Sequence, residues 1–288
     1  MSASKLNLFD LSPGKTLLDR YLIKRAHRQS GMSAAFEVVD SKDDSRCELQ
    51  AFPGSLFEGQ EQASGFVERI SAWKPINNAS VLGLRELHLM GDSSVVLVSD
   101  FPQGRSLRGW LKESSRMAVH NVARIGLNLL EGLGEIHAAG LVHGDVKPST
   151  IFFREDEDDA VLLDGGITPG LWAAKHMGTR TALIGTPYYA PLEQFSGDAP
   201  DVSADLYAIA TVLYETITGA LPWSGKSFVE VFQSKMMAEP PKMAIRAPGL
   251  EIEPELERVI AIGLSAERSK RYMEAEAFRD ALSTVALS

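Results

Sequence analysis

Short strands are predicted for the first third of the chain. Residues 21–52 alternate between apolar and polar positions, most clearly over 35–39, and a polar turn follows at 41–45. Such alternation places successive side chains on opposite faces of a sheet. Two further apolar runs, 81–88 and 95–101, predict two more strands of the same small β-rich region.

One amphipathic helix interrupts these strands. Its apolar spacing covers 57–73, and the polar, proline-containing segment 75–78 ends it. Residues 1–18 form a polar lead-in. The Pro-Gln-Gly segment 102–104 predicts a hinge.

Beyond the hinge the apolar period becomes helical. Helices are predicted over 119–139, 204–218, 254–264 and 274–285. The first two are followed by Gly140 and Gly219, a common residue just past a helix end. The pattern therefore predicts an α+β fold, with a β-rich N-lobe at 19–101 and a larger, mostly helical C-lobe at 105–288.

The composition excludes several classes of protein. The chain has 288 residues, of which 44% are hydrophobic, enough for one large or two smaller cores. A net charge of −9 argues against nonspecific binding to nucleic acid or to an anionic membrane. Cys47 is the only cysteine, so an internal disulfide is impossible. The start has no signal-type apolar core, and no window reaches the ~18 apolar residues of a membrane span. We therefore expect a soluble, cytoplasmic protein, or the cytosolic module of a longer chain.

The candidate chemistry lies in residues 143–150, His-Gly-Asp-Val-Lys-Pro-Ser-Thr, and in 163–166, Leu-Asp-Gly-Gly. Two short apolar runs and an acidic turn separate them, which predicts a hairpin. The hairpin places Asp145 and Lys147 at its entry and Asp164 at its exit. One aspartate can accept a hydroxyl proton, the other can hold Mg²⁺, and the lysine can neutralise a moving phosphoryl group.

These segments resemble the catalytic loop and the metal-binding segment of bacterial serine/threonine protein kinase domains. The resemblance covers about residues 18–282 and includes three more segments in the order of that family. They are 185–195 (GTPYYAPLEQF) at the end of the activation segment, 203–223 in the helix that anchors the large lobe, and 268–282 in the final helix. In this resemblance Asp205 is the anchor, and Arg271 is placed to pair with Glu193.

The resemblance implies a bilobal, protein-kinase-like fold and assigns roles in phosphoryl transfer. Asp145 is the catalytic base, Lys147 contacts the transferred phosphate, and Asp164 binds Mg²⁺. Thr150 falls where the family has an asparagine that holds a second Mg²⁺, and its hydroxyl is a poorer ligand. A structural alternative is that the loop aspartate only bonds neighbouring backbone amides and holds a turn.

The glycine-rich loop of the family is altered here. Its three signature glycines fall on Arg28, Ser30 and Ser33, while Gly31 remains. Side chains at these positions block the approach of backbone amides to phosphates. Arg28 could hold a phosphate itself, although a surface arginine is the simpler interpretation.

The strand that carries the nucleotide lysine of the family is altered as well. The lysine falls on Gln50, and a small residue against the adenine becomes Glu48. A carboxylate there is costly to desolvate and is repelled by a triphosphate. If Glu48 faced solvent instead, the register would be off by one. Ser99 and Phe101, before the hinge, complete the expected nucleotide site.

Two further departures concern control of the site. The glutamate that pairs with the nucleotide lysine falls on Glu68 or Arg69, and the spacing does not decide between them. Gly144 replaces the arginine that reads a phosphate on the activation loop, where Thr179 and Thr181 are candidate acceptors.

The metal-binding segment also lacks its usual aromatic residue, at Gly165. We predict that Trp73 fills the space, the alternative being that it only packs the end of its own helix. Thr186 is expected to contact the catalytic aspartate and lysine.

The sequence therefore favours a pseudokinase that binds ATP and Mg²⁺ weakly or not at all and acts by contact with a partner protein. The alternative is an active, atypical serine/threonine kinase that uses Asp145, Lys147 and Asp164 on a protein substrate. A third hypothesis is a small-molecule phosphotransferase of the same fold. The segment 185–195 and the terminal helix argue against it.

Overall fold

The computed structural model describes residue 6 and residues 11–154, 159–174, 187–223, 225–237 and 239–286. Contacts divide the chain into two compact units. Unit 1 comprises the described residues of Met1–Asn77, Leu82–Pro102 and Gly170–His176. Unit 2 comprises those of Asn78–Val81, Gln103–Pro169 and Met177–Ser288.

Unit 1 is built on an antiparallel sheet of six strands. The strands are β1 (Thr16–Leu17), β2 (Tyr21–Gln29), β3 (Ala34–Asp40), β4 (Arg46–Phe52), β5 (Leu84–Leu89) and β6 (Val95–Asp100). Their order across the sheet is β1-β2-β3-β4-β6-β5. Strand β4 pairs with β3 on one side and with β6 on the other, and its residues after Arg46 are all buried.

The two faces of this sheet bury different sets of side chains. One face carries a cluster that includes Tyr21, Val38 and Leu49, and Leu6 and Leu11 belong to the same cluster. The polar lead-in predicted for residues 1–18 thus contributes two buried leucines to this face of the sheet. This part of the chain adds hydrophobic burial to unit 1.

Helix α1 (Gln60–Ser71) buries Ala63, Phe66 and Ile70, which recur at helical spacing. The ring of Phe66 lies 5.3 Å from that of Phe52 on β4. Phe52 lies two and four residues from Gln50 and Glu48, so all three side chains project from the same face of β4.

Unit 2 is mostly helical. Its helices are α2 (Leu107–Ser114), α3 (Val119–Ala138), α5 (Leu192–Phe195), α6 (Val202–Thr218), α7 (Phe228–Lys235), α8 (Met243–Arg246), α9 (Pro254–Gly263) and α10 (Ala275–Ala286). A small sheet joins β7 (Arg105–Ser106), β8 (Ile151–Phe153) and β9 (Ala160–Leu162). Helix α4 (Ile167–Ala174) begins in unit 2 and ends in unit 1. Almost all of α6 is buried, as an anchoring helix requires.

The predicted α+β architecture is confirmed, with helix and strand ends within a few residues of the predictions. The predicted pairing of Arg271 with Glu193 is also confirmed. Arg271 Nη1 and Nη2 donate to the two Glu193 carboxylate oxygens at 2.6 and 3.1 Å. In the part of the chain that the structure describes, no helix combines the length and the apolar character that a membrane crossing needs.

Candidate functional site

Asp205 fixes the backbone of the segment that precedes β8. Its carboxylate accepts hydrogen bonds from the backbone N–H groups of His143, at 2.8 Å, and Gly144, at 2.7 Å. The His143 ring is fully buried, and its Nε2 lies 2.9 Å from the carbonyl oxygen of Leu163. Burial lowers the pKa of this imidazole, which favours the neutral ring. The anchoring position predicted for Asp205 is confirmed.

Asp145 and Lys147 lie side by side in this segment. Lys147 Nζ is 2.5 Å from Asp145 Oδ2. Burial raises the pKa of the Asp145 carboxyl above its usual value near 3.8, and the Lys147 ammonium opposes that rise. The predicted base and the predicted phosphate-binding cation are therefore adjacent, and each is engaged by the other.

Thr150 holds the turn between them. Its hydroxyl donates to the Asp145 carbonyl at 2.8 Å, and its oxygen accepts from the Lys147 N–H at 3.1 Å. Thr150 is 2% exposed. The predicted Mg²⁺ ligand is thus engaged in backbone hydrogen bonds, which is the turn-holding role of a short polar side chain.

Asp164 follows β9 with a left-handed φ of 64°. On one side of it, the Leu163 N–H donates to the Thr150 carbonyl at 2.8 Å; on the other, the Gly166 N–H donates to the His143 carbonyl at 3.1 Å. These bonds tie the exit of the hairpin to its entry, so Asp164 lies close to the segment that carries Asp145.

The donor set around Asp164 is small. Among the residues that the structure describes, no three His, Cys, Asp or Glu side chains are grouped closely enough to hold a metal ion. Mg²⁺ usually keeps several waters and is held by one or two carboxylates together with substrate phosphates. Asp164 therefore fits Mg²⁺ only as one ligand among several that a phosphate would supply.

Gly144 occupies a position that is closed to side chains. Its φ is 78°. A Cβ built on it would lie 2.4 Å from Pro169 Cγ and 3.2 Å from Pro200 Cγ. The arginine that this residue replaces would have no room here, because two proline rings occupy its space.

In unit 1, Glu48 is 1% exposed and is held by two basic side chains. Arg28 donates to it from Nε at 2.9 Å and from Nη2 at 2.5 Å, and His27 Nδ1 lies 2.6 Å from Oε2. The alternative register, with Glu48 in solvent, is excluded. The prediction that Arg28 is a plain surface residue is wrong: its side chain is 18% exposed and pairs across the sheet with Glu48.

In the neighbouring loop, residues 30–33, a serine side chain binds the backbone amides. Ser30 Oγ accepts from the N–H groups of Met32, at 3.2 Å, and Ser33, at 3.0 Å. A phosphate-binding loop needs such N–H groups to be free and pointed at the ligand. Gly31 is not forced by sterics, since a Cβ there would meet nothing within 4 Å.

Gln50 completes this arrangement. Its Nε2 donates to Ser33 Oγ at 2.9 Å, and it is 8% exposed. The residue at the position of the family's nucleotide-binding lysine is thus held to the loop by a hydrogen bond between two neutral side chains. Taken with the carboxylate of Glu48 and the engaged amides of the loop, these side chains do not fit a triphosphate.

Ser99 lies in β6, one residue before its end, and Phe101 follows the strand. The Phe101 ring is 4.8 Å from the His27 ring, and the Arg46 guanidinium lies over it at 3.8 Å. Ser99 is the cross-strand partner of Glu48. Two basic side chains therefore cover the aromatic surface on which a base would stack.

Helix α1 presents an apolar face to the sheet. Both candidates for the pairing glutamate, Glu68 and Arg69, are exposed. Trp73 follows the helix and is 6% exposed; its contact with the space beside Gly165 stays a prediction. Three other predicted residues, Thr179, Thr181 and Thr186, lie outside the described residues.

Arg108, Tyr189 and Glu215 form a cluster that the sequence did not predict. The Tyr189 hydroxyl donates to Glu215 Oε2 at 2.6 Å, and Arg108 Nη1 donates to Oε1 at 2.9 Å. The Arg108 N–H also donates to the Pro148 carbonyl at 2.8 Å. The cluster links the segment after the activation loop to α6 and to the loop that carries Asp145. Tyr189 and Glu215 both lie in segments that carry the family resemblance, and this placement could have pointed to the cluster.

Comparisons with known proteins identify relatives of this chain. The profile of the family described as "Protein kinase domain" matches residues 34–282. The serine/threonine-protein kinase pkn3 of Myxococcus xanthus is 28% identical over 285 residues, with 94% of this chain and 51% of pkn3 covered. PknL of Mycobacterium tuberculosis is 29% identical over 272 residues, with 94% and 67% covered. The chain thus spans about half the length of pkn3 and about two thirds of PknL.

A solved structure gives the same fold. The crystal structure of the M. tuberculosis PknI kinase domain superposes with a TM-score of 0.74 at 20% identity, covering 96% of this chain and 100% of that one.

Proposed function

The chain belongs to the protein kinase domain family, and from that premise we propose that it is a pseudokinase with impaired or absent ATP binding and phosphotransfer. In this proposal it acts in the cytoplasm by protein–protein interaction, as a scaffold or as an allosteric regulator. A net charge of −9 makes a protein a better partner for it than nucleic acid.

The observation that carries the proposal is the buried carboxylate of Glu48, which is paired with Arg28 and His27. Admission of a nucleotide to this face of the sheet would require the carboxylate to move or to lose its partners. Removal of one partner from a buried ion pair costs about 3–5 kcal/mol. ATP would have to offset that cost with contacts to its phosphates, but most of the residues that make such contacts in the family are replaced in this chain.

Those contacts are weakened at two further points. Gln50 supplies no positive charge, and the Ser30 hydroxyl engages the Met32 and Ser33 amides. Loss of one preorganised electrostatic contact typically costs on the order of 10²–10³ in rate. Such losses need not add, because these groups act as a unit.

One observation favours the alternative of an active, atypical kinase. Asp145 and Lys147 remain adjacent at 2.5 Å, and Asp164 remains at the exit of the hairpin. By resemblance these residues are the catalytic base, a lysine that contacts the transferred phosphate and a Mg²⁺ ligand. In the alternative they act on a protein substrate with ATP and Mg²⁺.

The melting temperature with and without ATP and Mg²⁺ decides between the two. A ligand at 100 times its Kd adds about 2.7 kcal/mol to the free energy of unfolding, which is easily seen as a shift. We expect no shift for the wild type. A clear shift that depends on both ATP and Mg²⁺ would contradict the loss of nucleotide binding.

A labelled-phosphate assay then tests the transfer step. We expect no incorporation above that of an Asp145→Asn variant. Incorporation by the wild type that this substitution abolishes would establish the active-kinase alternative.

A further inference from the structure

Lys235, the last residue of α7, is buried inside unit 2. It is 1% exposed, and its Nζ donates a hydrogen bond to the carbonyl oxygen of Tyr188 at 2.8 Å. Lysine is almost never fully buried in proteins unless its charge is paired. Tyr188 lies in the segment 187–191, so Lys235 holds this segment to α7.

The Lys235 amine has no carboxylate partner. Among the residues that the structure describes, no Asp or Glu forms an ion pair with it. Glu193 on the neighbouring helix α5 is already paired through both oxygens with Arg271. The Arg271 guanidinium lies 4.9 Å from the centre of the Tyr207 ring, and Lys235 Nζ lies 4.8 Å from it. A charged Lys235 would therefore be a second buried cation beside a single carboxylate.

The hydroxyl of Tyr207 on α6 indicates which form of the amine the fold accommodates. Tyr207 is 2% exposed, and its Oη lies 3.1 Å from Lys235 Nζ. Within the described part of the chain, this hydroxyl contacts no other hydrogen-bond acceptor. A buried hydroxyl needs an acceptor for its proton, and an ammonium has no lone pair to offer. With an uncharged amine, Tyr207 donates to Nζ and Nζ donates to Tyr188, so all three groups are satisfied.

The electrostatics of the surroundings favour the uncharged amine as well. Burial lowers the pKa of Lys235 well below its ordinary value near 10.5, the charge of Arg271 lowers it further, and Glu193 opposes both effects. The rings of Tyr207 and Phe195, at 4.8 and 6.0 Å from Nζ, attract a cation. Two rings and one carbonyl do not replace the solvation that a buried charge loses.

We propose that Lys235 is a pH-sensitive latch, whose uncharged amine holds the segment 187–191 to α7 and whose protonation loosens that hold. The added proton deprives the Tyr207 hydroxyl of its acceptor and places a second cation beside Arg271. The latch goes beyond the proposed function and does not depend on it, since its residues are not part of the predicted nucleotide site.

The latch acts next to the cluster of Arg108, Tyr189 and Glu215. Tyr189 is the next residue of the segment 187–191, and its hydroxyl donates to Glu215. Arg108 donates to the same carboxylate, and its backbone N–H bonds the catalytic loop. A looser segment therefore weakens the contact of Tyr189 with Glu215, which connects the charge of Lys235 to the position of the catalytic loop.

The stability of the fold should depend on pH through this lysine. A lysine in the unfolded chain titrates near about 10.4, and the folded pKa of Lys235 is lower. As pH falls, the unfolded chain therefore binds the proton first, and stability declines until pH reaches the folded pKa. Within this window the lysine should change the unfolding equilibrium constant about tenfold per pH unit.

Two measurements on the full chain test the latch. In an NMR titration of ¹³C-labelled lysine, we expect one Cε resonance to titrate well below the others and to be missing from Lys235→Met. In hydrogen exchange, corrected for its intrinsic pH dependence, the segment 187–191 and α7 should lose protection as pH falls through that titration. Lys235→Met should show no such loss. Lys226→Met, which removes the exposed lysine just before α7, is the matched control and should behave as the wild type.

Three results would overturn the proposal. One is a titration in which every lysine ionises near about 10.4, and another is a low-titrating resonance that persists in Lys235→Met. The third is protection of the segment 187–191 that changes with pH equally in the wild type and in Lys235→Met. The NMR titration of the wild type decides the charge of Lys235 even where the variant does not fold. A melting shift with ATP bears only on the proposed function.

Discussion

Arg28 donates to both carboxylate oxygens of Glu48, from Nε at 2.9 Å and from Nη2 at 2.5 Å. The pair ties β2 to β4, and it places opposite charges on the sheet face where the family binds a neutral base. A buried pair of this kind contributes to stability only while both partners are present.

Removal of Arg28 alone should therefore destabilise unit 1. We expect Arg28→Ala to lower the free energy of unfolding by about 3 kcal/mol, at the lower end for a buried pair because His27 still contacts Glu48. Arg25→Ala is the matched control on the same strand, since Arg25 is 59% exposed in its pair with Glu37; its loss should stay below about 1 kcal/mol. Urea unfolding measures both. Equal losses would show that burial of Glu48 has no special cost.

Introduction of the family's residues at three positions of unit 1 should confer nucleotide binding. The variant Arg28→Gly, Glu48→Ala, Gln50→Lys removes the ion pair and restores a cation for phosphate. We expect it to gain a melting shift with ATP and Mg²⁺ that the wild type lacks. The same variant without Gln50→Lys is the control and should gain a smaller shift. Absence of any gain would place the defect elsewhere in the chain.

Removal of one partner from the pair of Arg271 and Glu193 should destabilise unit 2. The Arg271 side chain is 0% exposed and also donates to the Ser265 carbonyl at 2.7 Å. We expect Arg271→Met to cost about 3–5 kcal/mol, because it leaves Glu193 without its charge partner. Arg268→Ala, at a 54% exposed arginine, is the control and should cost less than about 1 kcal/mol. Thermal unfolding of the two variants side by side would refute the expectation if the losses were similar.

Acid should weaken unit 1 through Asp40. Its side chain is 3% exposed, and hydrogen bonds from Arg20 hold its pKa below the usual value near 3.8. A depressed pKa in the folded state means that the unfolded chain binds the proton first as pH falls. The contribution is therefore full above the usual value and is lost as pH falls through the folded pKa. We expect Asp40→Asn to be less stable at neutral pH and to show a flatter decline in acid; an unchanged slope in urea titrations would contradict this.

Trp73 is 6% exposed, and its predicted role is to fill the space left by Gly165. Trp73→Ala should lower the free energy of unfolding by about 3–5 kcal/mol, the usual cost of deleting a large buried aromatic side chain. If the prediction is right, Gly165→Leu should recover part of this loss in the Trp73→Ala background. An unchanged melting temperature for Trp73→Ala would count against the filling role, and a loss that Gly165→Leu does not relieve would favour simple helix-end packing.

The order of strands and helices was predictable because periodicity is local: the spacing of apolar residues around α3, α6 and α10 depends only on neighbouring positions. The Arg271–Glu193 pair was predictable because both residues lie in recognisable segments. The contact of Arg28 with Glu48 was not predictable. It depends on the face of the sheet from which the Arg28 side chain projects, and a register shift between Ala26 and Arg28 determines that face.

The use of Ser30 was also hidden from the sequence. A serine in a turn can bond its own backbone or point outward, and only the fold decides between the two. The cluster around Tyr189 was missed for a different reason. Tyr189 and Glu215 lie in recognised segments but Arg108 does not, and the three are joined by contacts 26 and 81 residues apart in the chain.

The proline rings against Gly144 limit what one substitution can do at this position. In a Gly144→Arg variant the side chain would collide with Pro169, and the left-handed backbone would resist it as well. A cationic reader of a phosphate therefore cannot be added here by one change, because the neighbouring prolines would have to be replaced together with the glycine.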